Sequence, residues 1–213
     1  MTYCAQLWRG KDAHGKDLPI GHPWRGLRQR VYTEARALAV AQAQAMDLLD
    51  PRQEFQFANP DPRQYVGVDG TVFSVGRYTK RALTSCQEHI VGGKVKVFGA
   101  KFTIASIRIP GQFKSRVILS YDHTGTRDPA SAHPDESAAV EAVIPVLAAL
   151  SNGGVKGVVV DSIVRGKAVI RLQRNGMTVV NHPHAAANPD TKPGHRHNST
   201  RVEKSHFAHR RAT

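Results

Sequence analysis

Two aspartates lie in apolar, strand-like segments, and they are the residues of this chain best suited to chemistry. Asp69 lies within residues 65–75, among valines and between two small glycines, and Asp161 closes the apolar run that begins at Val155. Aspartate has a low β-propensity, and a buried charge is costly unless it has a strong partner. We therefore read residues 65–75 as a buried strand whose carboxylate has a partner, and a metal ion is one such partner.

If the two strands are neighbours, the two aspartates predict a metal site. Carboxylate oxygens suit hard cations such as Mg²⁺ or Mn²⁺. Two such ions about 4 Å apart activate a water or a 3′-hydroxyl and stabilise the leaving oxygen of a phosphodiester. The alternative is that each aspartate caps a strand end or accepts hydrogen bonds from a turn. Asp122 is a further acid near a strand end, and there a turn-initiating role is favoured.

The helices and strands that position these acids are predicted from the spacing of apolar residues and from the prolines and glycines between the apolar segments. Residues 24–49 predict an amphipathic helix, and a proline-rich linker follows over residues 51–64. Three mostly antiparallel strands are predicted over residues 65–121, followed by helices at 136–150 and 167–174 that alternate with strands at 155–162 and 177–181. This order, β-β-β-α-β-α-β, is that of the ribonuclease H-like fold. It predicts an α/β mixed sheet of five strands with the two aspartate strands adjacent at its centre.

The chain therefore divides into a flexible leader (1–23), a helix and linker (24–64), a core (65–181) and a tail (182–213). The tail holds six of the eleven histidines, six Lys or Arg residues and only two acids. Such a composition favours an extended, phosphate-binding segment, and zinc or nickel binding by its His-x-His pairs is the alternative.

The formal net charge of +13, from 30 basic and 17 acidic residues, favours a polyanionic partner. Nucleic acid is the simplest such partner, and an anionic membrane surface is the rival. No apolar run approaches 18 residues, so we expect no membrane span. The two cysteines form no CxxC motif, which favours a reducing, intracellular location. The residues expected to contact nucleic acid are Arg77, Lys80, Arg81, Arg165, Lys167, Arg196, Arg201, Lys204, Arg210 and Arg211.

Residues 65–71 and 157–166 resemble the first and second acidic motifs of the DDE transposases of bacterial insertion sequences. The segment from Asp161 to Asn181 is also similar to transposase-like proteins of high-GC Gram-positive bacteria and their phages. The resemblance covers roughly residues 60–210. It implies metal-dependent cleavage and transfer of DNA strands in the bacterial cytoplasm, at the nucleoid, with Asp69 and Asp161 as ligands of Mg²⁺ or Mn²⁺.

One part of the family pattern is missing. DDE transposases need a third carboxylate on a helix after the fifth strand, and after Asn181 this chain offers only Asp190 and Glu203, in segments that do not predict a packed helix. The chain thus resembles a truncated or degenerate transposase, and whether it is an enzyme stays open. The protein partner that this reading implies is a second copy or a complementing C-terminal fragment. The alternatives are a noncatalytic nucleic-acid-binding protein and a structural or phage-encoded protein without metal chemistry.

Overall fold

The computed structural model describes residues 10–74, 87–91, 95–112, 114–125, 133–161, 164 and 166–181. In these residues the helices are α1 (Leu27–Ala45), α2 (Glu136–Leu150) and α3 (Lys167–Arg174). The strands are β1 (Tyr65–Ser74), β2 (Gln87–Val91), β3 (Val95–Arg108), β4 (Arg116–Thr124), β5 (Gly157–Val160) and β6 (Thr178–Asn181). No helix in this part of the chain has the length and apolar character needed to cross a membrane.

The six strands form one open, mixed sheet with β1 near its centre. The path through the sheet is β2-β3-β1-β5-β6, and β4 also pairs with β3. The β1–β3 pairing is antiparallel, whereas the β1–β5 and β5–β6 pairings are parallel. Since α2 and α3 each connect two parallel strands, they are the crossover helices that such pairs require. The predicted α/β class, mixed sheet and N-terminal helix are therefore confirmed.

The number of strands differs from the prediction of five. Strand β2 is the additional one, and it pairs with residues 95–99 of β3, while residues 101–108 of β3 pair with β4. Strand β3 is therefore one long strand that pairs with β2 along its first part and with β4 along its second part. Strand β2 begins with three polar residues and has its two apolar residues together at its end, so it shows neither an apolar run nor an alternation in the sequence.

Helix α2 covers the sheet and contributes much of the core. Asp135 caps it by accepting a 2.8 Å hydrogen bond from the backbone N–H of Ala138. The buried side chains of Val140, Val143, Ile144 and Leu147 pack against the sheet in the same hydrophobic core as the valines of β1 and β5. Their burial fixes α2 on the sheet and sets where its first residue lies.

Two segments bring α1 and β5 together. Helix α1 packs on β4 and on α2, and the chain then turns at Leu49, which is fully buried and has a φ of 54°. Gly154, just before β5, packs on that turn. A Cβ at residue 154 would lie 2.0 Å from the Leu49 carbonyl oxygen, so only glycine fits there.

The segment before α1 is held by hydrogen bonds over its described residues. Lys11 and Asp17 form an isolated antiparallel bridge, and the side chain of Leu18 is buried. The Arg25 guanidinium donates a 2.9 Å hydrogen bond to the Leu18 carbonyl oxygen. Residues 10–26 thus form a series of turns that lead into α1.

Candidate carboxylate site

Asp69 lies on β1, and Asp161 directly follows β5, the neighbouring parallel strand. The β1–β5 register pairs Tyr65 with Gly157 and ends at Val68 with Val160. Asp69 and Asp161 are each the next residue after this last pair, and adjacent strands are about 4.8 Å apart. The prediction that the two aspartate strands are neighbours is confirmed.

Both aspartates are exposed, which corrects the prediction that Asp69 lies in a buried strand. Strand β1 is buried at Val66 and Val68, but it opens to solvent beyond them, and Phe73 is 55% exposed. The Asp69 carboxylate therefore needs no partner to offset desolvation. Two carboxylates on adjacent strands repel each other when both are ionised, and a divalent cation between them removes that repulsion.

A cavity of about 500 Å³ lies at this end of the two strands. Asp69 and Asp161 form part of its lining, together with Glu136 at the start of α2, Lys101 on β3 and Glu88 on β2. Four carboxylates and one ammonium group thus border the same space. Strands β1, β2, β3 and β5 and helix α2 all contribute to it, so the site belongs to the centre of the fold rather than to one loop.

Glu136 is the functional candidate that the sequence reasoning missed. Its side chain is only 7% exposed, and its Oε1 lies 2.8 Å from Lys101 Nζ. It also packs on Gly70, where an added Cβ would lie 1.5 Å from the same oxygen. In the sequence Glu136 is only the first residue of the helix predicted over 136–150. Its contact with Gly70 joins two distant segments, so no spacing in the sequence indicates it.

Two aspartate ligands agree with the coordination that Mg²⁺ usually has in proteins. This ion keeps several waters and is usually bound by one or two carboxylates together with substrate phosphates. In the described part of the chain, no group of three or more His, Cys, Asp or Glu side chains is placed to hold a metal ion. The protein side of the predicted site is therefore a pair of exposed carboxylates, Asp69 and Asp161.

Of the residues predicted to contact nucleic acid, Lys167 is described. It is the exposed first residue of α3, and it follows Asp161 by a short connection. The tail acids Asp190 and Glu203 and the His-x-His pairs lie outside the described residues. So do the other predicted nucleic-acid contacts, which are Arg77, Lys80, Arg81, Arg165, Arg196, Arg201, Lys204, Arg210 and Arg211.

The prediction that Asp122 initiates a turn is wrong. It lies inside β4 and is 4% exposed. One of its oxygens lies 2.5 Å from an Nη of Arg36 on α1, and the other accepts a 2.8 Å hydrogen bond from Ser120. Asp122 therefore joins α1 to the sheet, and the sequence could not show this because Arg36 lies far away in the chain.

Comparison of the chain with protein-family models, with curated proteins and with solved structures finds no match.

Proposed function

We propose that this chain is a ribonuclease H-like domain of the DDE transposase type, which binds DNA and cleaves or transfers its strands with Mg²⁺ or Mn²⁺. The observation that carries the proposal is that Asp69 and Asp161 each directly follow the last paired residues, Val68 and Val160, of two neighbouring parallel strands. The strand order supports it as well. Without the short β2, the path β4-β3-β1-β5-β6 has three antiparallel strands followed by two parallel ones, as the element order of that fold predicts.

Each residue of the site has a separate role in this proposal. Asp69 and Asp161 bind the cation, and their exposure lets a DNA phosphate complete its coordination. The cation, when bound, supplies Lewis-acid activation of a water or 3′-hydroxyl. Glu136 borders the same cavity, but it lies on the helix before the Asp161 strand, so it does not take the place of the third carboxylate that the resemblance requires after the fifth strand. Glu136 instead forms an ion pair with Lys101, which joins α2 to the sheet beside the two aspartates.

The charge distribution supports DNA as the substrate. A net charge of +13 favours binding to a phosphate backbone. Lys167, exposed at the start of α3, lies on the same connection as Asp161 and can contact the phosphate next to the one being cleaved. Arg171 on the same helix is different because Glu141 holds it in a two-hydrogen-bond pair of 2.5 and 2.7 Å. We therefore assign phosphate binding at α3 to Lys167.

Nicking of supercoiled plasmid DNA in the presence of Mn²⁺ tests the proposal. Asp69→Asn and Asp161→Asn should each lower the nicking rate at least about 100-fold, because each removes a group that stabilises the developing charge. Glu54→Gln is the matched control, since Glu54 is an exposed acid of the linker before β1. Equal nicking by the wild type and Asp69→Asn would contradict the proposal.

A second candidate is a noncatalytic nucleic-acid-binding protein that keeps this fold. The observation that favours it is the Lys101–Glu136 ion pair, in which a cation of the protein itself neutralises a buried carboxylate of the cavity, while no described group of three acids is placed to hold a metal ion. This candidate predicts DNA binding that is equally strong in Mn²⁺ and in EDTA, with no nicking in either. The plasmid assay and a binding titration in both buffers separate the two candidates.

A further inference from the structure

A long stretch around β3 and the start of β4 carries positive charge without any acid. Residues 91–121 contain no Asp or Glu and six cations: Lys94, Lys96, Lys101, Arg108, Lys114 and Arg116. Among these, Lys101 is paired with Glu136 in the cavity. Three of the others meet at the end of the β3–β4 hairpin, and we call Arg108, Lys114 and Arg116 the hairpin cluster.

The hairpin holds this cluster on an ordered turn. Arg108 ends β3 and Arg116 begins β4, and the two residues lie directly opposite each other in the antiparallel register. The backbone N–H of Ile109 donates to the Ser115 carbonyl at 3.3 Å, and the N–H of Ser115 donates to the Gln112 carbonyl at 3.1 Å. Gly111 allows the tight turn with a φ of 75°. The cations therefore project from a hydrogen-bonded frame.

The three side chains concentrate positive charge at one turn. Like charges directly opposite each other on antiparallel strands destabilise the pair. All three side chains are exposed, and within the described residues no ion pair joins Lys114 or Arg116 to a carboxylate. A polyanion bound across the turn reverses the sign of this interaction. We propose that the hairpin cluster binds the phosphate backbone of DNA, at a contact separate from Asp69 and Asp161.

The position of the cluster favours DNA over an anionic membrane surface. Asp69 pairs with Ile104 on β3, and Arg108 is four residues further along the same strand. At about 3.4 Å per residue, the cluster lies about 13 Å along the sheet from the carboxylate pair. That distance is the rise of about four base pairs of a duplex. A duplex seated at Asp69 can thus contact the cluster too, and in this respect the inference rests on the proposed function.

The test is the salt dependence of DNA binding by the full chain in EDTA, where metal chemistry plays no part. The probe is a duplex of about 20 base pairs, longer than the span between the two contacts. Lys114→Gln/Arg116→Gln is compared with Lys16→Gln/Arg52→Gln, which also removes two exposed cations but from the N-terminal part of the chain. Thermal melting followed by circular dichroism verifies that each variant is folded.

We expect the hairpin variant to lose about two units from the slope of log K against log salt, since each phosphate contact contributes about 0.9. The control variant should keep the wild-type slope. An equal change in both variants, or none in either, overturns the inference. So does a result in which the hairpin variant binds DNA normally and loses binding only to vesicles of anionic lipid.

The same titration separates this inference from the proposed function. If the hairpin slope change is found but plasmid nicking is absent, the enzyme proposal fails and the hairpin contact stands. If nicking depends on both aspartates but the hairpin variant has the wild-type slope, only the hairpin contact fails.

Discussion

Lys101 on β3 and Glu136 at the start of α2 form a 2.8 Å ion pair in the cavity that Asp69 and Asp161 also border. The Glu136 carboxylate occupies the room that a side chain on residue 70 would need. Gly70 therefore has a steric reason to be glycine: it admits an acid from α2 to the strand that carries Asp69. The pair joins the helix to the sheet at the site itself.

Gly70→Ala should disturb this pair in a way that depends on Glu136. The new Cβ would lie 1.5 Å from Glu136 Oε1 and 3.2 Å from Lys101 Cε, so the glutamate must move and the ion pair must break. We expect a loss of about 1 to 3 kcal/mol in the free energy of unfolding, measured by urea denaturation. In a Glu136→Ala background the same substitution should cost much less, because the clash is gone.

Gly125→Ala is the control for this measurement, since no atom lies within 4 Å of a Cβ built on Gly125. A Gly70→Ala cost that is the same with and without Glu136 would show that the carboxylate does not occupy the space beside residue 70.

The ion pair between Arg36 and Asp122 predicts a large and asymmetric stability effect. Their side chains are only 11% and 5% exposed, and Arg36 also donates a 2.8 Å hydrogen bond to Ser120. Asp122→Asn or Arg36→Met leaves one buried charge without its partner, which should cost about 3 to 5 kcal/mol in urea denaturation. The double variant Arg36→Met/Asp122→Leu removes both charges and should recover most of that loss. Additive losses in the double variant would contradict this reading.

Low pH should lower the stability of the segment before β1, because Asp61 becomes protonated. The hydrogen bonds from the Arg63 guanidinium lower the pKa of Asp61 from 3.8 to about 2, and Gln53 and the Arg63 backbone N–H also donate to it. Because the folded-state pKa is the lower one, the stabilisation is complete above about pH 4 and is lost as the pH falls through about 2. The side chain of Arg63 is 41% exposed, so solvent screening limits the contribution to about 1 kcal/mol or less.

The measurement is the free energy of unfolding of the wild type and Asp61→Asn between about pH 2 and pH 6. Their difference should be constant in the upper part of this range and should shrink towards pH 2. Glu54→Gln, which removes an exposed acid of the same segment and leaves Asp61 intact, serves as the control. A difference that stays constant down to pH 2 would show that the Asp61 carboxylate contributes no pH-dependent stability.

The sequence predicted the parts of this fold that depend on local pattern. The residues of α2 and α3 repeat apolar side chains at helical spacing, and the helices end at Leu150 and Arg174, as predicted. The valine runs of β1 and β5 predicted a central pair of strands, and their register supplied the placement of both aspartates. Local sequence pattern was thus enough to predict that Asp69 and Asp161 belong to neighbouring strand segments.

What the sequence could not show depends on contacts between distant segments. Asp122 is buried because Arg36, on a helix far earlier in the chain, neutralises it. Glu136 is buried because Lys101 neutralises its charge and because Gly70 has no side chain to fill the space that the carboxylate occupies. Neither partner is marked by spacing or composition, since an ion pair between elements leaves no period in the sequence. Strand β2 was missed for a simpler reason: three of its five residues are polar, and its two apolar residues do not alternate with them.

Titration of Mn²⁺ into the purified protein is the most direct test of the claim that Asp69 and Asp161 form a metal site. We expect saturable binding by the wild type, about 10-fold or more weaker binding by Asp69→Asn and by Asp161→Asn, and wild-type binding by Glu54→Gln. The double variant should be no weaker than the weaker single one, because either change alone removes the shared site. Equal or negligible Mn²⁺ binding by the wild type and Asp69→Asn would contradict the metal site.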